Sequence, residues 1–441
     1  MIRDAMNRRS FLKTGLAAGA GLAMVPNLRA NTGSGGSNTL NVALVGAGKQ
    51  GRVLINAMLQ IPDVRFRAVC DVWSYNQGYG ARYLTRYGHP VNAYADFQEM
   101  LDAEPDLDAV IIATPDWVHA PQTIAALNAG LHVYCEKMMS NSVEEARHMV
   151  QASQSTGKLL QIGHQRRSNP RYLHAYALAH EHGIFGGPFT HANAQWNRSV
   201  TPPLRWPARF EMDQDELDRF GYESMNHLIN WRWFKQYGGG PISDLGAHNI
   251  DIFNWFFNAH PRGVIASGGI DYYKDYELMD NVMAIYDYET PAGVARAFYQ
   301  VLTTTGAMGY HERFMGVEGT LSISEDPHWN QAYREKKNAP DWDEFARQGL
   351  VLKYEGLPAT PDGTEVDSDV TPGLERWDLP VKLEKTIHQP HLENFFDAIR
   401  HGTPLTCPGE TGLATTVTVL RINQAVESAC REAFQPGDFT V

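Results

Sequence analysis

The run Gly46-Ala47-Gly48-Lys49-Gln50-Gly51 sits between an apolar stretch, 40–45, and a stretch, 52–60, whose apolar residues recur at helical spacing. Strand, tight turn and helix in that order form a loop that can cradle a diphosphate. Gly46 permits the turn, Gly48 lets a ligand approach the backbone, Gly51 lets the helix pack on the strand, and the phosphate meets the positive helix N-terminus. A second apolar run, 65–70, ends at Asp71, twenty residues beyond Gly51. At that distance an acidic side chain meets ribose hydroxyls and repels a ribose phosphate. Val72 and Trp73 follow it rather than a cation, so the expected nucleotide is NAD, with NADP disfavoured.

Two further groups could move a proton. Thr114-Pro115-Asp116-Trp117-Val118-His119 follows the apolar run 108–113, and Glu136-Lys137 follows 131–135. Ligands of open α/β sheets gather at the carboxyl ends of strands, so Thr114, Pro115, Asp116, Glu136 and Lys137 are expected to face one crevice. Farther on, Asp244 and His248 are four residues apart and Asp251 is three beyond, which places them on one face of a helix starting near Pro241. A carboxylate beside an imidazole suits a proton-transferring histidine. A capped helix with a surface ion pair accounts for the same spacing. When hydride leaves a carbinol the hydroxyl proton must leave too, which makes Lys137 and His248 the proton-handling pair and Asp244 the group orienting His248. The sequence leaves open which of the pair is the base.

Trp196, Arg198, His227, Asn230, Trp231, Arg232, Trp233 and Tyr237 could line a sugar cleft, since sugar C–H faces stack on aromatic rings and hydroxyls accept from forked donors. Core packing is the competing account of each. The substrate candidates are Gln165 and Arg166 at the hinge, His227, Trp231, Arg232 and His248. His388, His391 and Glu393 invite a metal reading, but Gln389-Pro390 is expected to interrupt the helical face, with a helix only over 392–400, and no metal is expected.

Positioning these groups takes two domains. The chain has 441 residues, 43% hydrophobic and 20% charged, with ten Trp, nineteen Tyr and eighteen Phe, enough apolar area for more than one core. The expected division is 1–38 as leader and linker, 39–164 as a Rossmann domain and 165–441 as a substrate and oligomerisation domain. Strands are expected near 190–196, 263–270, 281–287 and 294–302, forming a mostly antiparallel sheet. A net charge of −12 without a basic block argues against a nucleic-acid partner. Four scattered cysteines suit buried thiols better than disulfides. Near the start, Arg8-Arg9-Ser10-Phe11-Leu12-Lys13 and the Gly/Ala-rich stretch after it resemble a twin-arginine export signal, and that stretch is too short and too weakly apolar to span a membrane. Cleavage near Ala30 and retention at a lipid surface both stay open.

Between Asn41 and Met139 the chain resembles the glucose-fructose oxidoreductase / inositol dehydrogenase (Gfo/Idh/MocA) family. The resemblance rests on the glycine loop, Ala113-Thr114-Pro115 with His119, Ala129-Gly130-Leu131-His132-Val133 and Glu136-Lys137. Met138 stands where the family has proline. The run from Gly239 through Asp244 and His248 to Asp251 meets the family's second pattern in full. The resemblance implies an α/β protein, an N-terminal Rossmann domain followed by an α+β domain with a large, mostly antiparallel open sheet. It implies NAD held by Gly46, Gly48, Lys49, Gln50, Gly51, Asp71, Thr114, Pro115, His119, Glu136 and Lys137, chemistry by Lys137, Asp244 and His248, and a homo-oligomer, dimer or tetramer, acting on a carbohydrate. Export into a periplasm without free nicotinamide nucleotide implies that NAD travels bound and is recycled in place. NAD-dependent glycoside cleavage through transient C3 oxidation is the alternative. An idle sugar-binding protein fits least.

Overall fold

Leu40–Val45 (β1) is buried from Val42 onward and becomes an inner strand of a six-stranded sheet, because a run apolar on both faces needs cover on both. Its companions are Val64–Cys70 (β2), Asn92–Tyr94 (β3), Ala109–Ile112 (β4), His132–Cys135 (β5) and Leu160–Ile162 (β6). All run parallel, in the order β3-β2-β1-β4-β5-β6. The order reverses between β1 and β4, which opens a crevice at their carboxyl ends, as the Rossmann expectation requires. The computed structural model describes residues 39–337, 339–356 and 374–441; the proposed leader and linker, 1–38, lie outside the described residues.

A second sheet of ten strands follows, in the order β14-β15-β13-β12-β11-β7-β10-β9-β8-β16. Its strands are His191–Asn197 (β7), Pro261–Gly269 (β8), Asn281–Thr290 (β9), Gly293–Leu302 (β10), Tyr310–Met315 (β11), Gly319–Ile323 (β12), Gln331–Arg334 (β13), Leu352–Lys353 (β14), Glu375–Asp378 (β15) and Glu432–Ala433 (β16). Among the described residues of this sheet only β7 and β10 pair in parallel, and β7 to β10 fall where the alternation placed strands. In β9, Val282, Ala284, Tyr286 and Tyr288 are buried while Met283 and Ile285 are exposed. The buried face packs under the helices Ala247–Phe257 and Gly409–Ser428.

The division at residue 165 is not clean. The helix Gln389–His401 places Leu392, Phe395 and Phe396 in one core with Val42, Leu44 and Tyr134 of the first sheet and Leu54 of the helix after β1, so part of the expected substrate domain completes the nucleotide domain. That helix starts at Gln389, not Leu392, because Pro390 lies in the first turn, where its missing N–H costs nothing. Cys70, Cys135 and Cys407 are buried as expected; Cys430 is exposed. Among the described residues no helix is long and apolar enough to cross a membrane.

Candidate active site

The glycine turn closes for reasons internal to the protein and opens at one point only. Gly46 has a φ of +90°, and a Cβ there would lie 2.6 Å from the Ala113 carbonyl oxygen; at Gly51 it would lie 2.0 Å from the Gly46 carbonyl oxygen. A Cβ on Gly48 would meet nothing nearer than Asn76 Nδ2 at 3.7 Å. The protein itself has no need of glycine at 48, and the absent side chain leaves backbone bare at the start of the helix Lys49–Met58, whose N-terminus has no side-chain cap. That is a fit for a pyrophosphate. Asp71 accepts from the Ala47 N–H (2.8 Å) and the Trp73 N–H (2.9 Å), which aims its carboxylate at the turn; burial pushes its pKa up to about 6. Lys49 is exposed on the first turn. Gln50 donates to Glu136 Oε1 (3.1 Å) and lies 3.0 Å from His388 Nε2, so the turn is held to β5 and to the C-terminal part of the chain.

At the other end of the crevice the two domains meet. Residues 242–246 form a π-helical turn before the helix Ala247–Phe257. Lys137, just past β5, reaches across to donate to the Asp244 carbonyl oxygen (2.5 Å) and lies 3.4 Å from Asp244 Oδ1. Arg232 Nε donates to the same Oδ1 at 2.8 Å, and Arg198 Nη1 stands 3.9 Å from Oδ2. Burial alone would raise the Asp244 pKa, but Arg232 and then Lys137 hold it well below the usual carboxylate range. Asp244 therefore serves Lys137, not His248, and no hydrogen bond joins the two. The wide π turn breaks the i, i+4 alignment the spacing suggested, and the cations are the stronger partners. His248 is 9% exposed, lies 5.5 Å from the Trp196 ring, and its Nδ1 has no partner in the protein. Burial, then Lys137, Arg166, His164 and His388, push its pKa well below 6.5, so the ring is neutral.

The oxidoreductase family profile with an NAD-binding Rossmann fold (Gfo/Idh/MocA) matches residues 40–164, and that family's C-terminal domain matches 207–322, together more than half of the chain. The chain belongs to the Gfo/Idh/MocA family. A 1,5-anhydro-D-fructose reductase of Ensifer adhaerens is 30% identical over 243 residues, 55% of this chain and 64% of the relative. A glycosyl hydrolase family 109 protein of Saccharopolyspora erythraea is 24% identical over 342 residues, 72% of this chain and 65% of the relative. The chain thus spans just under two thirds of these relatives' length. A solved dehydrogenase, WlbA of Bordetella pertussis in complex with NADH and UDP-GlcNAcA, shares the fold with a TM-score of 0.62 at 18% identity, covering 90% of this chain and 99% of that one.

Within this Gfo/Idh/MocA frame several expected ligands have other work. His119 does not face the crevice: it is 1% exposed, with Nδ1 2.6 Å from the Met138 carbonyl and Nε2 2.8 Å from the Thr114 carbonyl, tying the loop after β4 to the cis peptide Lys137–Met138. Thr114 turns its hydroxyl to Gln122 Oε1 (2.7 Å), while Pro115 precedes the helix Asp116–Asn128 as its cap. Arg166 is ion-paired to Glu312 and Glu325, and Gln165 donates to Glu325 (3.0 Å), so both brace the second sheet rather than reach for a substrate. Asp251 is held by Arg167 (2.8 Å) and Thr415 (2.8 Å). His227 bonds Ser224 (2.8 Å) and lies 4.0 Å from the Phe234 ring; Asn230 bonds Leu204, and Trp233 and Tyr237 pack in a small apolar cluster with Tyr222, Phe234 and Tyr276. Trp231 backs Arg232 at 4.3 Å. His391 spends both nitrogens on Ser168 (2.7 Å) and the Ile162 carbonyl (2.9 Å).

Three residues at the site carry more than their sequence context suggested. His164, one residue past Gly163 at the end of β6, is 1% exposed with neither ring nitrogen partnered, and its ring meets His248 edge-on at 6.4 Å. Burial pushes its pKa down to about 4. Its place at the carboxyl edge of the sheet was a usable signal. Asp116 is 4% exposed, and burial, opposed in part by Lys137 and Arg232, pushes its pKa up to about 7. His388, with Nδ1 unpartnered, is brought in by tertiary folding alone.

Proposed function

We propose that this protein oxidises a hydroxyl-bearing carbon of a sugar, cyclitol or glycoside, with NAD retained and recycled in the same site by passing the hydride on to a second, carbonyl-bearing substrate or intermediate. The observation that carries the reading is Lys137 of the first domain reaching Asp244 of the second beside the neutral ring of His248, whose Nδ1 has no partner in the protein. Backbone at Gly48 and the bare helix start would hold the pyrophosphate, and Asp71 the adenosine ribose. Bound NAD supplies the two-electron acceptor for the carbinol hydride. Lys137, fixed by Asp244, orients the substrate oxygen as a donor. His248 takes the hydroxyl proton, since its nitrogen is free and Lys137 is already engaged.

Purified protein should carry nucleotide absorbance and reduce it on adding free sugar, without added cofactor. Lys137→Ala should lower turnover by about 10² to 10⁴-fold while nucleotide stays bound; unchanged turnover would remove Lys137 from the mechanism. The family 109 relative supports a second reading, net glycoside cleavage through transient oxidation. Nitrophenol release from nitrophenyl glycosides would select it.

The same reading includes export by a twin-arginine leader and self-association. Replacing Arg8 and Arg9 together with lysine in a leader–reporter fusion should stop export. Ile265, Met283, Ile285 and Val294, exposed on β8 to β10, support the open sheet face as the contact between copies; light scattering would give the subunit number.

A further inference from the structure

The substrate end of the crevice presents cations to whatever enters. From Arg198 to Phe210 the chain carries Arg198, Arg205 and Arg209 and no acidic residue, although its net charge is −12. Asp244 alone is shared by Lys137, Arg232 and Arg198, at 3.4, 2.8 and 3.9 Å. The other carboxylates, Asp116 and Glu136, are each 4% exposed, and Glu136 is taken by Gln50. By contrast the Arg198 and Arg232 side chains are 39% and 40% exposed, twice the 20% of Asp244. Arg198 Nε is buried without a partner, and Arg232 lies over Trp231, its Cζ 4.3 Å from the ring centre, with its Nε committed to Asp244. A planar guanidinium whose donors are free and whose position is fixed is suited to two-point recognition of an oxyanion.

We infer that the substrate is an anionic sugar, bearing a carboxylate or phosphate that Arg198 and Arg232 receive while its reacting hydroxyl lies between Lys137 and His248. The inference rests on the oxidoreductase reading above and narrows it. A neutral sugar would accept hydrogen bonds from the guanidinium groups but would leave Lys137, Arg198 and Arg232 sharing the single carboxylate of Asp244 as their ion-pair partner.

The test uses the full chain with its bound nucleotide, following reduction at 340 nm with D-glucose, D-glucuronate and D-glucose 6-phosphate. At least one anion should exceed D-glucose by about tenfold or more in the second-order rate constant of this single reduction, the size of one charge-assisted contact, and which anion wins identifies the group. Arg198→Gln should bring the anion-to-glucose ratio toward one, with an unchanged melting curve as the check on folding. In the unaltered protein, raising sodium chloride should lower the ratio, because screening weakens the ionic contact alone. D-Glucose matching or exceeding both anions overturns the inference and leaves the oxidoreductase reading standing. Failure of all three sugars to reduce a nucleotide that is present overturns both.

Discussion

The two ends of the crevice are built differently. At the glycine turn nearly every contact is internal and satisfied: Gly46 and Gly51 are fixed by backbone approach, Asp71 by two N–H donors, Gln50 by Glu136 and His388. At the far end, His164 and His248 keep ring nitrogens buried without partners, and three cations crowd within 3.9 Å of the one carboxylate of Asp244. Buried polar groups are seldom left so. A nucleotide end preformed by the protein therefore faces a reacting end that its substrate or ordered water completes.

The contrast can be broken at its strongest point first. Lys137→Ala should cost about 10² to 10⁴-fold in turnover, the usual contribution of a positioned proton-handling group, with nucleotide retained; loss of nucleotide instead would make Lys137 part of the preformed end. Gly51→Ala drives a Cβ to 2.0 Å from a backbone oxygen, so stability should fall by about 1–3 kcal/mol or more and nucleotide should be lost, read by thermal melting and absorbance. Gly48→Ala should melt like the parent and still lose nucleotide, because its Cβ clears every protein atom.

Acid titration sharpens the comparison through opposite slopes. Asp116 ordinarily titrates at 3.8 and here at about 7, so between those values the folded chain keeps a proton the unfolded chain has released, and stability falls as pH rises. His164, lowered from 6.5 to about 4, does the reverse: below 6.5 the unfolded chain takes a proton the folded chain refuses, and stability falls as pH drops. In denaturant titrations from pH 4 to 7, Asp116→Asn should make stability climb more steeply with pH, and His164→Leu should flatten it. At pH 7 the smallest effect is expected from His164→Leu itself, within about 1 kcal/mol, since no hydrogen bond within the protein is lost. A larger loss would mean the ring is partnered after all.

The sequence revealed most where chemistry is local. The turn from Gly46 to Gly51, Asp71 and the alternation of β7 to β10 are short-range patterns, and each appears where its spacing placed it. The site beyond Lys137 was legible in residue type but not in partnership. Asp244 and His248 were both identified, yet a π turn and three distant cations, none visible from a four-residue spacing, decide that Asp244 serves Lys137. Arg166 and His119 misled for a related reason: a polar residue beside a strand end can face the ligand or brace the scaffold, and only Glu312, Glu325 and the Met138 carbonyl distinguish the cases.

Gln50 meets His388 across 338 residues of chain, and the helix that follows shares a core with β1. Strand β1 therefore waits for an element that far along the chain, and so long a separation postpones completion of the turn until that helix has been made. Loading of a dinucleotide then depends on the helix Gln389–His401, and a truncation that removes it would forfeit the capacity encoded at Gly46 to Gly51.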